Sequence, residues 1–116
     1  MIELETLAKV PLFIGLDSEA LIYLQPCCKQ LLVPKGTVII KENTEGDKIF
    51  ILVQGKVQVT KDLVKGFDED QLLTEKVLAT LSAESLPTFG ENGLLEHGTR
   101  MANIIALADS ELYTLA

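Results

Sequence analysis

The sequence predicts a mainly β protein, an all-β sandwich or barrel behind a short helical preface. Two observations carry this. From Lys29 onward, short β-branched or apolar runs are separated by turn signals spaced about 8–12 residues apart, the signature of strands joined by tight connections. A helix-start pattern, by contrast, occurs only in the first 28 residues. The chain has 116 residues and a mass of 12.7 kDa, which predicts one domain over residues 1–116, with a helical segment at 1–28 and the β region at 29–116.

In the preface, Leu4, Leu7 and Ala8 precede Pro11-Leu12-Phe13-Ile14-Gly15-Leu16. Asp17 reads as an N-cap, with Ser18 and Glu19 in the first turn and Leu16 and Leu21 placed for a hydrophobic staple. Pro26 should end or kink that helix. Leu31-Leu32-Val33 then stops at the turn signal Pro34-Lys35-Gly36. Thr37-Val38-Ile39-Ile40 is β-branched throughout, as strands prefer. After a turn at Asn43 to Asp47, Ile49 to Val53 is a continuous apolar strand, and Gln54-Gly55 turns the chain again. Lys56-Val57-Gln58-Val59-Thr60 alternates with period two. Lys61 to Glu75 reads as a polar hairpin connection with a solvated charged tip at Asp68-Glu69-Asp70. Lys76 to Leu81 is the next strand, Ser82 to Thr88 a loop, and Arg100 to Ala108 a strand. Asp109-Ser110-Glu111 turns into the last strand, Leu112 to Leu115. About seven or eight strands of 4–6 residues are expected.

Composition excludes several functions. Ten Lys and Arg face 17 Asp and Glu, for a net charge of −7, so the chain has no basic field for nucleic acid. Hydrophobic residues make up 47%, enough for a core and too many for intrinsic disorder. No apolar run approaches the roughly 20 residues that span a bilayer. Glu3 and Glu5 stand where a secretory signal would be basic, and a cytoplasmic location is expected. The two cysteines, Cys27 and Cys28, are adjacent and poorly placed to bridge one another. They read as buried or half-buried apolar fillers. With a single His, His97, neither a zinc site nor a metal-dependent or Ser-His-Asp enzyme is expected. His97 itself reads as an exposed loop residue. No cofactor is expected.

The informative stretch is Phe89 to Ala102, FGENGLLEHGTRMA. Gly90 and Gly93 permit tight turning and exposed N–H groups. A short helical turn through Asn92 to Leu95, anchored by Leu94 and Leu95, would aim its first N–H groups at an anion. Arg100 opens an apolar strand, where a guanidinium needs a partner. An anionic phosphate opposite would be gripped in bidentate fashion. Glu91, acceptor-only when ionised, suits a sugar hydroxyl. An ion pair of Arg100 with Glu91 or Glu96 in a surface loop is the alternative.

The order of these residues resembles the phosphate-binding cassette of the cyclic nucleotide-binding domain family, the β-roll sensor of catabolite-activator-type regulators, cyclic-nucleotide-dependent kinases and gated channels. That motif is close to F-G-E-x-[AG]-L, a variable stretch, then R-[STA]-A. Phe89, Gly90, Glu91, Gly93, Leu94, Arg100 and Ala102 fall on it. Val10-Pro11-Leu12-Phe13 with Leu16-Asp17, Lys35 to Ile39, Gly46-Asp47 and Phe50 to Val57 extend the similarity over nearly the whole chain. The resemblance implies a double-stranded β-helix, or jelly-roll β-barrel, with short N-terminal helices and a short helix inside a cassette at 89–102. It implies that Glu91 accepts from the ribose 2′-hydroxyl and Arg100 pairs with the cyclic phosphate. Backbone N–H groups around Gly90, Asn92 and Gly93 would add hydrogen bonds, while Met101, where this sequence departs from the motif, would pack on the ligand or narrow the pocket.

The implied function is a regulatory, non-enzymatic module that binds cAMP, with cGMP as second choice, and signals occupancy to an effector domain or partner protein. A homodimer fits the same picture. The alternative is a same-fold interaction or structural domain that no longer binds a nucleotide. Three departures from the family pattern bear on this choice. Met101 replaces a small or hydroxyl residue and removes a side-chain donor for guanine. Ser82 to Thr88 lacks the glycine that often precedes the cassette. The sequence ends directly after the last strand, where family members continue into helices that cap the base. Without such a lid, micromolar or weaker binding is expected, micromolar being about −8 kcal/mol.

Overall fold

The computed structural model describes residues 1–42, 46, 48–64, 73–90 and 102–115. The preface folds as α1 (Leu4–Lys9), a 3₁₀ turn at Pro11–Phe13, α2 (Ser18–Leu24) and a second 3₁₀ turn at Gln25–Cys27. Asp17 caps α2 as expected: its side chain accepts from the Ala20 N–H at 2.9 Å, an interaction that typically stabilises by about 1 kcal/mol. Pro26 falls in the 3₁₀ turn that follows α2. Leu21 is buried with Leu7, Val10 and Phe13, whereas Leu16, its expected staple partner, is 43% exposed.

Among the described residues the chain then forms β1 (Lys29–Val33), β2 (Val38–Ile40), β3 (Ile49–Gln54), β4 (Lys56–Val64), β5 (Leu73–Ser82), β6 (Thr88–Phe89), β7 (Asn103–Ala106) and β8 (Ser110–Leu115). They make two antiparallel four-stranded sheets, ordered β1-β8-β3-β6 and β2-β7-β4-β5. The architecture is the mainly β jelly roll expected. Val33, Phe50, Leu52, Phe89 and Leu112 of the first sheet pack with Ile40, Val57, Ile104 and Ala106 of the second. A second cluster covers the other face of the first sheet: Ile51 and Tyr113 pack with Ile2, Leu7, Val10, Phe13, Leu21 and Cys28. The continuous apolar run of β3 now has its reason. Successive side chains point to opposite faces, and here both faces are covered.

Several boundaries differ from expectation. The stretch Lys61 to Glu75 is not wholly a connection, because β4 continues to Val64 and β5 begins at Leu73, in register as Lys61↔Lys76 through Val64↔Leu73. Pairing with β7 stops at Thr60, and beyond it β4 and β5 continue as a two-stranded arm. The acidic triplet at 68–70 lies outside the described residues. The strand expected over Arg100 to Ala108 is shorter. Ala102 is a bend and β7 starts at Asn103. Ser110, expected in a turn, already begins β8. The loop Ser82 to Thr88 contains a 3₁₀ turn at Ala83–Ser85 capped by Leu86, which adopts the left-handed conformation with φ 49° and ψ 54°. That is the conformation a glycine would take without strain.

The cysteines divide. Cys28 is buried, and Cys27, expected to be at least half-buried, is exposed. Each thiol donates to a carbonyl in the last turn of α2, Cys27 to Tyr23 and Cys28 to Leu24, at 3.6 and 3.5 Å. Burial, and then the neighbouring Cys27, push the Cys28 thiol above its usual range. Among the described residues no helix is long and apolar enough to cross a membrane.

Three outcomes follow for stability and reactivity. Gly55, the single residue between β3 and β4, has φ +101°, and a Cβ there would lie 2.8 Å from the Ser110 Cα. Gly55→Ala should destabilise by about 2 kcal/mol or more in urea unfolding. Replacing Leu86 loses packing against the second cluster in either case, but only glycine also relieves the backbone. Leu86→Gly should therefore be more stable than Leu86→Ala by about 1 kcal/mol, and the reverse order would refute this account of the turn. A thiol reagent at neutral pH should modify Cys27 rapidly and Cys28 only on unfolding, read as one fast equivalent per chain.

Candidate functional site

The residues singled out for chemistry lie between β6 and β7, and these two strands belong to different sheets. The site therefore has two anchors, one on each layer. On the first side, Phe89 pairs with Phe50. Their rings stack at 5.4 Å between centroids with 11° between planes, and both are buried. The approach to Phe89 is fixed as well. The Leu52 N–H donates to the Pro87 carbonyl at 3.0 Å, and the Ser85 hydroxyl donates to the Ser82 carbonyl at 3.3 Å. Directly after Phe89, Gly90 takes φ +93°, a left-handed bend that strongly favours glycine. Gly90 thus stands at the end of a pinned strand.

On the second side the chain returns through Ala102 to Asn103, which is 2% exposed. Asn103 lies opposite Thr60 on β4. Its Oδ1 accepts from the Glu42 N–H at 2.9 Å, and its Nδ2 donates to the Thr60 hydroxyl at 3.4 Å. The Glu42 carboxylate, itself buried, faces Lys61 Nζ at 3.7 Å. This cluster of buried polar groups gathers the end of β2, the middle of β4 and the start of β7.

Of the expected site residues, Gly90 is placed by the structure. Glu91, Asn92, Gly93, Arg100 and Met101 lie outside the described residues, as do the expected short helix, Leu94, Leu95 and His97. Sequence reasoning missed Asn103, Glu42 and Thr60. A polar residue heading the apolar run Asn103-Ile104-Ile105-Ala106 is the one local hint. Its partners stand 61 and 43 positions away, beyond the reach of any spacing rule. A separate hollow of about 540 Å³ is lined by Gln30, Leu32, Pro34, Gln54, Asp109 and Glu111 among others. Its charged residues are acidic, so it disfavours a phosphate. Among the described residues no group of three or more His, Cys, Asp or Glu is placed to hold a metal ion.

Comparison with known proteins bears on the same segment. The profile of the cyclic nucleotide-binding domain matches residues 30–116. The cGMP-dependent protein kinase, isozyme 1, of Drosophila melanogaster is 37% identical over 102 residues, covering 88% of this chain and 12% of the kinase. The cyclic AMP receptor protein of Thermus thermophilus is 31% identical over 90% of this chain and 44% of its own length. The chain thus spans less than half the length of either relative. Among solved structures, the Thermus thermophilus catabolite activator protein superposes with a TM-score of 0.75 at 30% identity, over 90% of this chain and 45% of that one. The regulatory domain of Toxoplasma gondii PKA, crystallised with cAMP, gives 0.79 at 23% identity over 97% of this chain and 40% of that one, a likeness of fold. A jelly roll whose β6–β7 segment carries this motif, matched by the family profile over three quarters of its length, belongs to the cyclic nucleotide-binding domain family.

Proposed function

We propose that this domain binds cAMP in preference to cGMP through residues 90–101 and passes the occupied state to an effector domain or partner protein. The observation that carries the reading is the motif from Phe89 to Ala102 standing between two anchored strands. A loop that must enclose a small anion gains affinity when its ends are already fixed, because less ordering remains on binding. In this reading Arg100 forks onto the cyclic phosphate, Glu91 takes the ribose hydroxyl, and N–H groups at Gly90, Asn92 and Gly93 complete the cradle. The net charge of −7 opposes anion capture in the long-range field. Screening over about 8 Å at physiological ionic strength confines the decision to local contacts.

The preference for cAMP rests on Met101. A thioether offers guanine no donor, and it supplies adaptable apolar contact instead. The named relatives include both a cGMP-dependent kinase and a cyclic AMP receptor, which makes the choice of base a matter for direct measurement. The ligand acts on an effector only through its differential affinity for two states of the domain. The module itself is regulatory and carries no catalytic step.

Calorimetric titration of wild type and Arg100→Ala with cAMP and with cGMP tests the proposal. Arg100→Ala should weaken binding at least tenfold, since a bidentate charged contact contributes about 1.5–3 kcal/mol. Equal affinity in the two proteins, or no heat in either, would overturn the assignment of the site. Tighter binding of cGMP than of cAMP would overturn the role given to Met101 and leave the site standing.

A further inference from the structure

We infer that Asn103 is a positioning residue for the nucleotide site, an amide that fixes the return end of the 90–102 segment to β4 and to the connection after β2. The inference rests on the nucleotide-binding reading above and goes beyond the residues that would touch the ligand.

Asn103 is almost fully buried beside Ile104, which belongs to the main core. An apolar side chain would fill such a place without the desolvation penalty of a primary amide. The amide instead makes specific contacts across the fold. β2 pairs with β7 through Val38↔Ile105 and Ile40↔Ile104, and the ladder stops at Ile40. Two residues past the end of β2, the Glu42 N–H donates to the Asn103 side-chain oxygen at 2.9 Å. The carboxamide thus adds one further rung to the sheet just past the end of the strand. Its other end donates to the hydroxyl of Thr60, a residue with no exposed surface. Beside Thr60, Lys61 reaches the Glu42 carboxylate, so the same two segments are tied a second time.

The place of this tie in the chain gives it its role. Asn103 follows Arg100 by three residues in the sequence, so the tie stands close in the chain to the residue assigned to the phosphate in the proposed site. An ion-pair geometry loosened by as little as an ångström loses much of its strength. Truncating the amide removes the acceptor of Glu42 N–H and the donor to Thr60 while leaving every proposed ligand-contacting residue intact.

The test compares cAMP and cGMP affinities by calorimetry for wild type, Asn103→Ala, Thr60→Val and Leu21→Ala, each confirmed folded by circular dichroism. Leu21 is buried in the helical cluster on the outer side of the other sheet, so its truncation lowers the melting temperature without touching the tie. Asn103→Ala should weaken the preferred nucleotide at least fivefold, and Thr60→Val at least twofold. The double variant should be little worse than Asn103→Ala alone, as coupled partners are. Leu21→Ala should stay within twofold of wild type. Unchanged affinity in Asn103→Ala, or a loss in Leu21→Ala as large as its own, would overturn the positioning role while the nucleotide reading stands. Should Asn103→Ala fail to fold, unchanged affinity in Thr60→Val decides against it. Wild type that binds neither nucleotide removes the underlying reading, and this role with it.

Discussion

The segment from Gly90 to Ala102 leaves one sheet and arrives in the other, and this crossing is the constraint on which the site depends. The two ends of that segment keep their places only while the layers keep their distance. The interleaved side chains of Val33, Phe50, Leu52 and Leu112 against Ile40, Val57, Ile104 and Ala106 set that distance. Close-packed interiors resist small displacements, so the core fixes the separation of Gly90 from Ala102. The stacked rings of Phe50 and Phe89 then set one end laterally, and the amide of Asn103 sets the other.

The division between what is legible in the sequence and what is not follows the range of the interactions. Asp17 and Ala20 are three residues apart, and the cap they form is written in the local pattern. Gly55 is similarly plain, since a turn between two apolar runs needs a residue at ease with positive φ. Family membership was legible because the motif at 89–102 is short and contiguous. The arm formed by β4 and β5 was not. Lys61-Asp62-Leu63-Val64 and Leu73-Thr74-Glu75-Lys76 mix charged and apolar residues without the period-two alternation that marks a strand. Leu86 was misleading in a different sense. Nothing in a leucine announces a left-handed backbone, and the surrounding contacts impose it. Asn103 looks unremarkable in the sequence because Glu42 and Thr60 reach it from other parts of the fold.

An acidic protein that captures an anion presents an apparent conflict, and scale resolves it. The charge of −7 is spread over the whole chain, while in the proposed site a phosphate ester would be recognised within a few ångströms by a guanidinium and oriented N–H groups. The same acidity disfavours association with nucleic acid through this chain. It makes a small ligand with a single charge a better match than a polyanion.

The third strand belongs to two interiors at once. Phe50 and Leu52 face the space between the sheets, and Ile51, between them in sequence, faces the helices. A β-strand cannot slide by one position without exchanging its faces, so both interiors read the same register. The helical preface is therefore not an interchangeable accessory. A chimera that borrowed it from a distant relative would have to import a matching residue at position 51, and its neighbours at 50 and 52 would carry the mismatch straight to the aromatic pair of Phe50 and Phe89.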